Sequence, residues 1–189
     1  MKVTNEFYTD PLLLGKFAGI CYGREGNNEK RLKHIIDVGH LSVLRFGMAV
    51  FKIEGISRVC LAQLTRSKHL DYLVRSSRYC DESEALFKVP PSLQEVSSQL
   101  KTEVTEFMWE SQYLYRKLLT EGVKKEDARY FLLQAQETEL YIAGNYQAWK
   151  DFINLRTKKA AQKEVRDVAL EIESQLKELA PIIFGENHD

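Results

Sequence analysis

Leu44-Arg45-Phe46-Gly47-Met48-Ala49-Val50-Phe51-Lys52-Ile53-Glu54 is the stretch on which the fold class turns. It is rich in Phe, Met, Val and Ile, and its short alternation changes phase near Phe51. That pattern predicts a strand buried on both faces or bulged. Gly55 punctuates it, and residues 56–66 read as a helix through Ile56, Cys60, Gln63 and Leu64. A weaker alternation over residues 72–79 gives a second strand. Upstream, residues 28–38 put Leu32, Ile35 and Ile36 on one helical face, and Gly39 is the stop signal.

Downstream, Pro90-Pro91 is the clearest break. Ser92 with Glu95 three residues on forms a capping box. Leu93, Val96, Leu100, Val104, Phe107, Ser111, Leu114 and Leu118 then keep a helical stripe until Gly122, which predicts a helix about 40 Å long over residues 92–121. Such a helix in a small protein packs along a partner, in its own chain or another. Val165, Val168, Ala169, Ile172, Leu176 and Leu179 repeat the pattern before Pro181. No internal repeat, low-complexity tract or flexible linker intervenes. The expectation is one α+β domain over residues 1–189, with a small mixed or antiparallel sheet flanked by long helices.

Composition narrows the function. The 27 basic side chains balance 27 acidic ones, whereas a nucleic-acid binder usually carries a basic surplus. At 44% hydrophobic and 29% charged, the chain can build a core. No apolar run nears the roughly 18 to 20 residues that span a bilayer, and residues 1–6 lead into no signal-type apolar stretch. Cys21, Cys60 and Cys80 cannot all pair and form no Cys-x-x-Cys. A reduced, cytoplasmic setting is the expectation, with neither nucleic acid nor membrane as partner.

No motif declares a nucleophile or a metal. Cys80 lacks the Gly-rich or His-containing neighbourhood of an activated thiolate. His34, His40, His69 and His188 show no metal-ligand spacing, and neither a P-loop nor a dinucleotide fingerprint occurs. Arginine is more informative. Arg75-Ser76-Ser77-Arg78-Tyr79 sets two hydroxyls between two guanidiniums, and in an extended segment Ser76 and Arg78 share a side. Such a set suits a phosphate; a solvated strand laced with surface salt bridges is the alternative.

Two ordered blocks resemble the flavin-dependent thymidylate synthase family. The first runs His40-Leu41-Ser42-Val43-Leu44, Phe51-Lys52-Ile53-Glu54-Gly55-Ile56-Ser57-Arg58, Gln63-Leu64-Thr65-Arg66 and Ser76-Ser77-Arg78-Tyr79. The family signature reads Arg-His-Arg-x-x-Ser-x-Asn-Glu-x-Ser-x-Arg-Tyr, and Arg66, Ser76, Arg78 and Tyr79 fall at its offsets. The second block is Asn145, then Phe152-Ile153-Asn154-Leu155-Arg156, then Ala161-Gln162-Lys163-Glu164-Val165-Arg166. Arg129 matches a further family arginine by spacing. The departures are also ordered: Ser67 replaces the signature His, Lys68 its second Arg, Asp71 its first Ser, and Leu73-Val74 its Asn-Glu pair. Arg45-Phe46 stands for a Glu-His pair, Gln147 for an Arg and Asp151 for an Asn.

The resemblance implies that family's fold and activity: reductive methylation of dUMP to dTMP, with FAD as cofactor and methylenetetrahydrofolate and NADPH as co-substrates. It implies dUMP binding by Gln63, Arg66, Ser76, Ser77, Arg78, Arg129 and Arg156, with Arg156 the catalytic residue against the uracil. FAD would meet Ser42, Arg66, Ser67, Lys68, Val74, Asn145, Gln147 and Asp151, so the departures fall on the flavin side. No metal is implied. A homotetramer with shared active sites would give the long helix its partner. Two other readings keep the nucleotide: another folate-dependent one-carbon transfer on a pyrimidine deoxynucleotide, and a non-catalytic nucleotide-binding paralogue.

Overall fold

The computed structural model describes residues 1–23 and 26–185; His188 lies outside them. Four strands, β1 (Lys2–Tyr8), β2 (Met48–Ser57), β3 (Leu70–Val74) and β4 (Glu137–Asn145), form one antiparallel sheet in the order β1-β2-β4-β3. The helices are α1 (Pro11–Ala18), α2 (Asn28–Asp37), α3 (Arg58–Leu64), α4 (Ser98–Thr120), α5 (Lys125–Ala128), α6 (Tyr146–Arg156), α7 (Lys163–Leu179) and α8 (Pro181–Phe184). The α+β class is therefore as the sequence reads. The chain divides into two compact units: Met1–Ile53 with Gln63–Leu73 and the chain from Tyr141 onward, and Glu54–Ala62 with Val74–Leu140.

In the first unit Ala49, Phe51 and Ile53 are fully buried on alternate positions of β2, as a strand with one face in a core requires. Phe51 meets Trp149 edge-on at 5.2 Å, and Trp149 meets Phe152 at 5.6 Å, the offset geometry that aromatic quadrupoles favour. The Trp149 indole N–H donates to the Ala49 carbonyl at 3.1 Å, so its polar atom is satisfied inside the core. Helix α7 buries Val165, Val168, Ala169, Ile172 and Leu176, the stripe its sequence predicts. The edge strand β1 is closed by Gln175, which accepts from the Asn5 N–H and donates to the Val3 carbonyl; a side chain thereby occupies an edge that could pair with another chain.

The second unit is held differently. Helix α4 buries Met108, Ser111, Gln112 and Tyr115. Gln112 donates to the Ala85 carbonyl at 2.7 Å and Ser111 to the Phe131 carbonyl at 2.6 Å, while the Tyr115 phenol accepts from the Glu82 N–H at 3.3 Å. Polar side chains here satisfy the backbone of irregular segments that would otherwise be buried unpaired.

Several expectations are corrected. Residues 41–46 are a 3-10 turn and β2 begins at Met48; up to Ile53 the strand buries alternate positions on one face rather than both. Gly55 does not end the strand but sits inside it at φ 68°. The second strand is Leu70–Val74, and residues 75–80 turn away from it. Ser92 and Glu95 lie in a separate 3-10 turn, Pro91–Glu95. Val96 is extended beyond it (ψ 168°), and Ser97 caps α4 by accepting from the Leu100 N–H at 3.3 Å. The helix has 23 residues, about 35 Å. Three residues of its predicted stripe are exposed, Phe107 at 58% and Leu100 and Leu114 above 39%, and only Ser111 is buried.

Helices α1 and α2 cross at Gly15, where an added Cβ would stand 2.1 Å from the Asn28 backbone oxygen. Ala is the better helix former by about 1 kcal/mol, but a clash with backbone costs about 1 to 3 kcal/mol. Gly15→Ala should therefore lower the melting temperature by several degrees. An unchanged or raised midpoint in a thermal melt would show that the two helices are not in that contact.

Candidate functional site

The turn after β3 is built around Ser76. Its carbonyl accepts from the Tyr79 and Cys80 N–H groups at 3.1 and 2.8 Å, and its hydroxyl accepts from the Arg78 N–H at 3.3 Å. A hydroxyl that bonds its own backbone competes with strand pairing, so the expected extended segment does not form and Ser76 and Arg78 do not share a strand face. Ser77 is buried at 6% exposure, and Arg78 is exposed.

Helix α5 brings two of the predicted arginines to one residue. Arg78 Nε pairs with the Glu126 carboxylate at 2.7 Å, and Arg129 Nε donates to the Glu126 carbonyl at 3.1 Å. The Arg78 guanidinium also lies over the Tyr79 ring at 5.5 Å, and Lys125 donates to the Tyr79 carbonyl at 3.2 Å. Ser76, Ser77, Arg78 and Arg129 thus all lie in the second unit, with Arg78 ion-paired to Glu126; two guanidiniums and two hydroxyls are groups that suit a phosphate. Arg58, which the sequence reading did not single out, is in the same unit; its Nη2 is buried with no partner. Burial, and after it the charges of Arg129 and Arg75, disfavours its ionised form, while Glu82 supports it.

In the first unit the centre is the end of α3. The Tyr72 phenol donates to the Leu64 carbonyl at 2.7 Å and reaches the Ser67 carbonyl at 3.4 Å, pinning the loop that carries Arg66, Ser67 and Lys68. Burial raises the Tyr72 phenol above its ordinary value, with Ser67 and the Arg156 charge acting against that. Arg156, the last residue of α6, donates from Nη2 to the Gln63 carbonyl at 2.9 Å, while its Nε is buried with no partner. Gln63 in turn donates to Gln162 at 3.4 Å. Gln63, Ser67 and Arg156 are therefore close neighbours of Tyr72, whereas Arg66 and Lys68 are exposed.

The start of α6 carries three more candidates. Asn145 caps it by accepting from the Ala148 N–H at 2.9 Å, and Gln147 donates to Asp151 at 3.0 Å. The Gln147 side-chain oxygen is buried and unpartnered. Ser42 is exposed on the 3-10 turn, at an apolar cavity of about 670 Å³ shared with Phe17, Ile20, Tyr22, His40 and Phe46.

The profile of a family described as thymidylate synthase complementing protein matches residues 6–182. The chain belongs to that family. A protein of Mycobacteroides abscessus called flavin-dependent thymidylate synthase is 35% identical over 92% of this chain and 78% of its own length. Proteins of the same description from Mycobacterium bovis and Mycobacterium tuberculosis are 34% identical over the same shares. The family match covers both the Ser76 turn and the α3–α6 cluster. Among the described residues no group of three or more His, Cys, Asp or Glu is placed to hold a metal ion, and no helix is long and apolar enough to cross a membrane.

Proposed function

We infer that this chain is a flavin-dependent thymidylate synthase, a single cytoplasmic domain with that family's fold, methylating dUMP to dTMP with methylenetetrahydrofolate and NADPH as co-substrates. The observation that carries this reading is Arg156. Its guanidinium is fixed by the Gln63 carbonyl yet keeps a buried N–H unpartnered, an arrangement preorganised for a ligand. Against a uracil ring, that fixed charge favours the ionised base and makes its C5 a better nucleophile. Gln63 and Arg66 would complete the contacts to base and sugar. Ser76, Ser77, Arg78 and Arg129 would bind the 5′-phosphate, because their donors and charge suit a dianion.

Apart from Val74, which offers no polar side-chain atom, the residues on the flavin side fit FAD. The buried, unpartnered Gln147 oxygen is an acceptor in want of a donor, and a buried polar atom left so is costly. Asn145, Gln147 and Asp151 on α6, with Ser67 beside Tyr72, offer amide and hydroxyl groups of the kind a flavin ring engages. Exposed Arg66 and Lys68 match its pyrophosphate, and Ser42 stands at the apolar cavity. When bound, FAD supplies the hydride that completes the methyl group. The side-chain departures Ser67 and Gln147 keep polar atoms at those positions, which supports retention of the cofactor.

A ligand that binds only the native state stabilises it by about 2.7 kcal/mol at a hundredfold excess over Kd, so dUMP should raise the melting temperature well above the effect of deoxyuridine. Arg78→Ala should remove most of that difference, since a charge-assisted contact is worth about 1.5 to 3 kcal/mol. Equal shifts from both ligands in the wild type would end the phosphate assignment.

Arg156→Ala should cut dUMP-dependent release of tritium from C5 by about 10²- to 10³-fold. Lys at the same position should rescue little, because it keeps the charge and not the planar fork. Release at the wild-type rate from Arg156→Ala would remove Arg156 from the chemistry.

Assembly follows from α4. Leu100, Phe107 and Leu114 are exposed at heptad spacing along it, an apolar stripe of the kind that marks an interface. A homotetramer with shared active sites is the reading this supports. Light scattering at micromolar concentration should give four times the chain mass; a clean monomer would contradict it.

A further inference from the structure

Helix α3 ends at Leu64, and the last carbonyls of a helix have no partner within it. Here two of them are taken by side chains of the first unit. The Gln63 carbonyl accepts from Arg156 Nη2 at 2.9 Å, and the Leu64 carbonyl accepts from the Tyr72 phenol at 2.7 Å. The Leu64 carbonyl also accepts from the Ser67 N–H at 2.9 Å, and the Tyr72 oxygen lies 3.4 Å from the Ser67 carbonyl. One phenol thus stands at carbonyls on both sides of Arg66. His69, in the same turn, holds φ at 63°, a left-handed conformation that a residue with a Cβ adopts at a cost.

The turn is therefore held in one shape before any ligand arrives. Tyr72 lies on β3 two residues after the buried Leu70, so the sheet fixes its ring. Burial raises its phenol, which keeps the hydroxyl protonated and donating. An exposed turn that needed only partners for its carbonyls could take them from water. A half-buried phenol held at two carbonyls, together with the left-handed His69, instead fixes the main chain around Arg66. Strain of this kind is kept where a ligand clamp needs a single geometry.

We propose that Tyr72 is a positioning residue of the nucleotide and flavin site: its phenol clamps the main chain on both sides of Arg66 and so presents that guanidinium, already ordered, to dUMP and to FAD. This rests on the functional reading given above, in which Arg66 serves both ligands. Tyr72 touches neither ligand; it acts through Arg66. Without the clamp, whichever ligand binds first must order the turn, and the second then binds to a turn already ordered.

The test is titration of the flavin-free full chain with FAD, followed by flavin fluorescence with and without saturating dUMP, and with dUMP alone by calorimetry. Tyr72→Phe keeps the ring and removes only the hydroxyl. It should weaken FAD alone and dUMP alone by about 3- to 10-fold each, the worth of one hydrogen bond. Saturating dUMP should bring its FAD affinity back toward the wild-type value. In an Arg66→Ala background the same change should weaken FAD no further, because residues that act through one contact are not additive. A Tyr72 that serves stability alone would lower the melting temperature and leave both affinities unchanged. That result, a loss that dUMP does not restore, or an additive double mutant overturns the proposal while the functional reading stands. Amide hydrogen exchange of the ligand-free wild type checks the clamp without any variant: the Ser67 N–H should be protected, and exchange at the open-chain rate overturns the proposal too. A wild type that binds neither FAD nor dUMP overturns both.

Discussion

Gly55 holds φ at 68° inside β2, and the placement of the residues that follow depends on it. Ala49, Phe51 and Ile53 are buried before it, and Ile56 and Ser57 are buried after it. One left-handed residue changes the strand's phase as a glycine bulge does, at a position where a side chain would be strained. The phase change turns Ile56 inward beside Ser57, whose hydroxyl accepts from the Cys60 N–H at 3.0 Å at the start of α3. Helix α3 therefore begins at Arg58, and its far end delivers Gln63 to Arg156.

The second unit has a polar interior for a related reason. Residues 75–97 contain no strand longer than an isolated bridge and one 3-10 turn. Their backbone groups need partners from elsewhere, and Ser111, Gln112 and Tyr115 of α4 supply several. Once α4 spends its inner face on this task, apolar side chains such as Phe107 and Trp109 remain outside. Exposed apolar side chains on a helix are surface of the kind that marks an interaction site.

The same logic separates the two groups of site residues. The arginines of the Ser76 turn are oriented by acceptors of their own unit, with Glu126 serving both Arg78 and Arg129. Arg156 is oriented by a main-chain carbonyl, so its position does not depend on a titrating partner. On α6, Asn145 is engaged in capping, and Gln147 retains an unpartnered oxygen. Of the departures from the family signature, Ser67, Lys68, Asp71, Gln147 and Asp151 are still polar while Phe46, Leu73 and Val74 are apolar, and the relation to enzymes called flavin-dependent thymidylate synthases extends over most of the chain.

By itself the sequence determined what local periodicity and spacing can carry. The α2 face, the α7 stripe, the α+β class and the two ordered blocks are all properties of residues near one another in the chain. Strands β1 and β4 and helices α1 and α6 were not legible as elements, because their residues acquire a buried side only against other segments. The capping sites were ambiguous for the same reason: Ser92 and Ser97 carry equal chemistry, and the extended Val96 between them makes Ser97 the cap. Ser76 could serve a strand or a turn until its hydroxyl found the Arg78 N–H. Arg58 and Glu82 are 24 residues apart in the sequence, and nothing local links them. Only the tertiary structure brings both to Gln136, the first through its main-chain N–H and the second through its carboxylate, because a buried polar group must be satisfied by whatever partner the fold brings beside it.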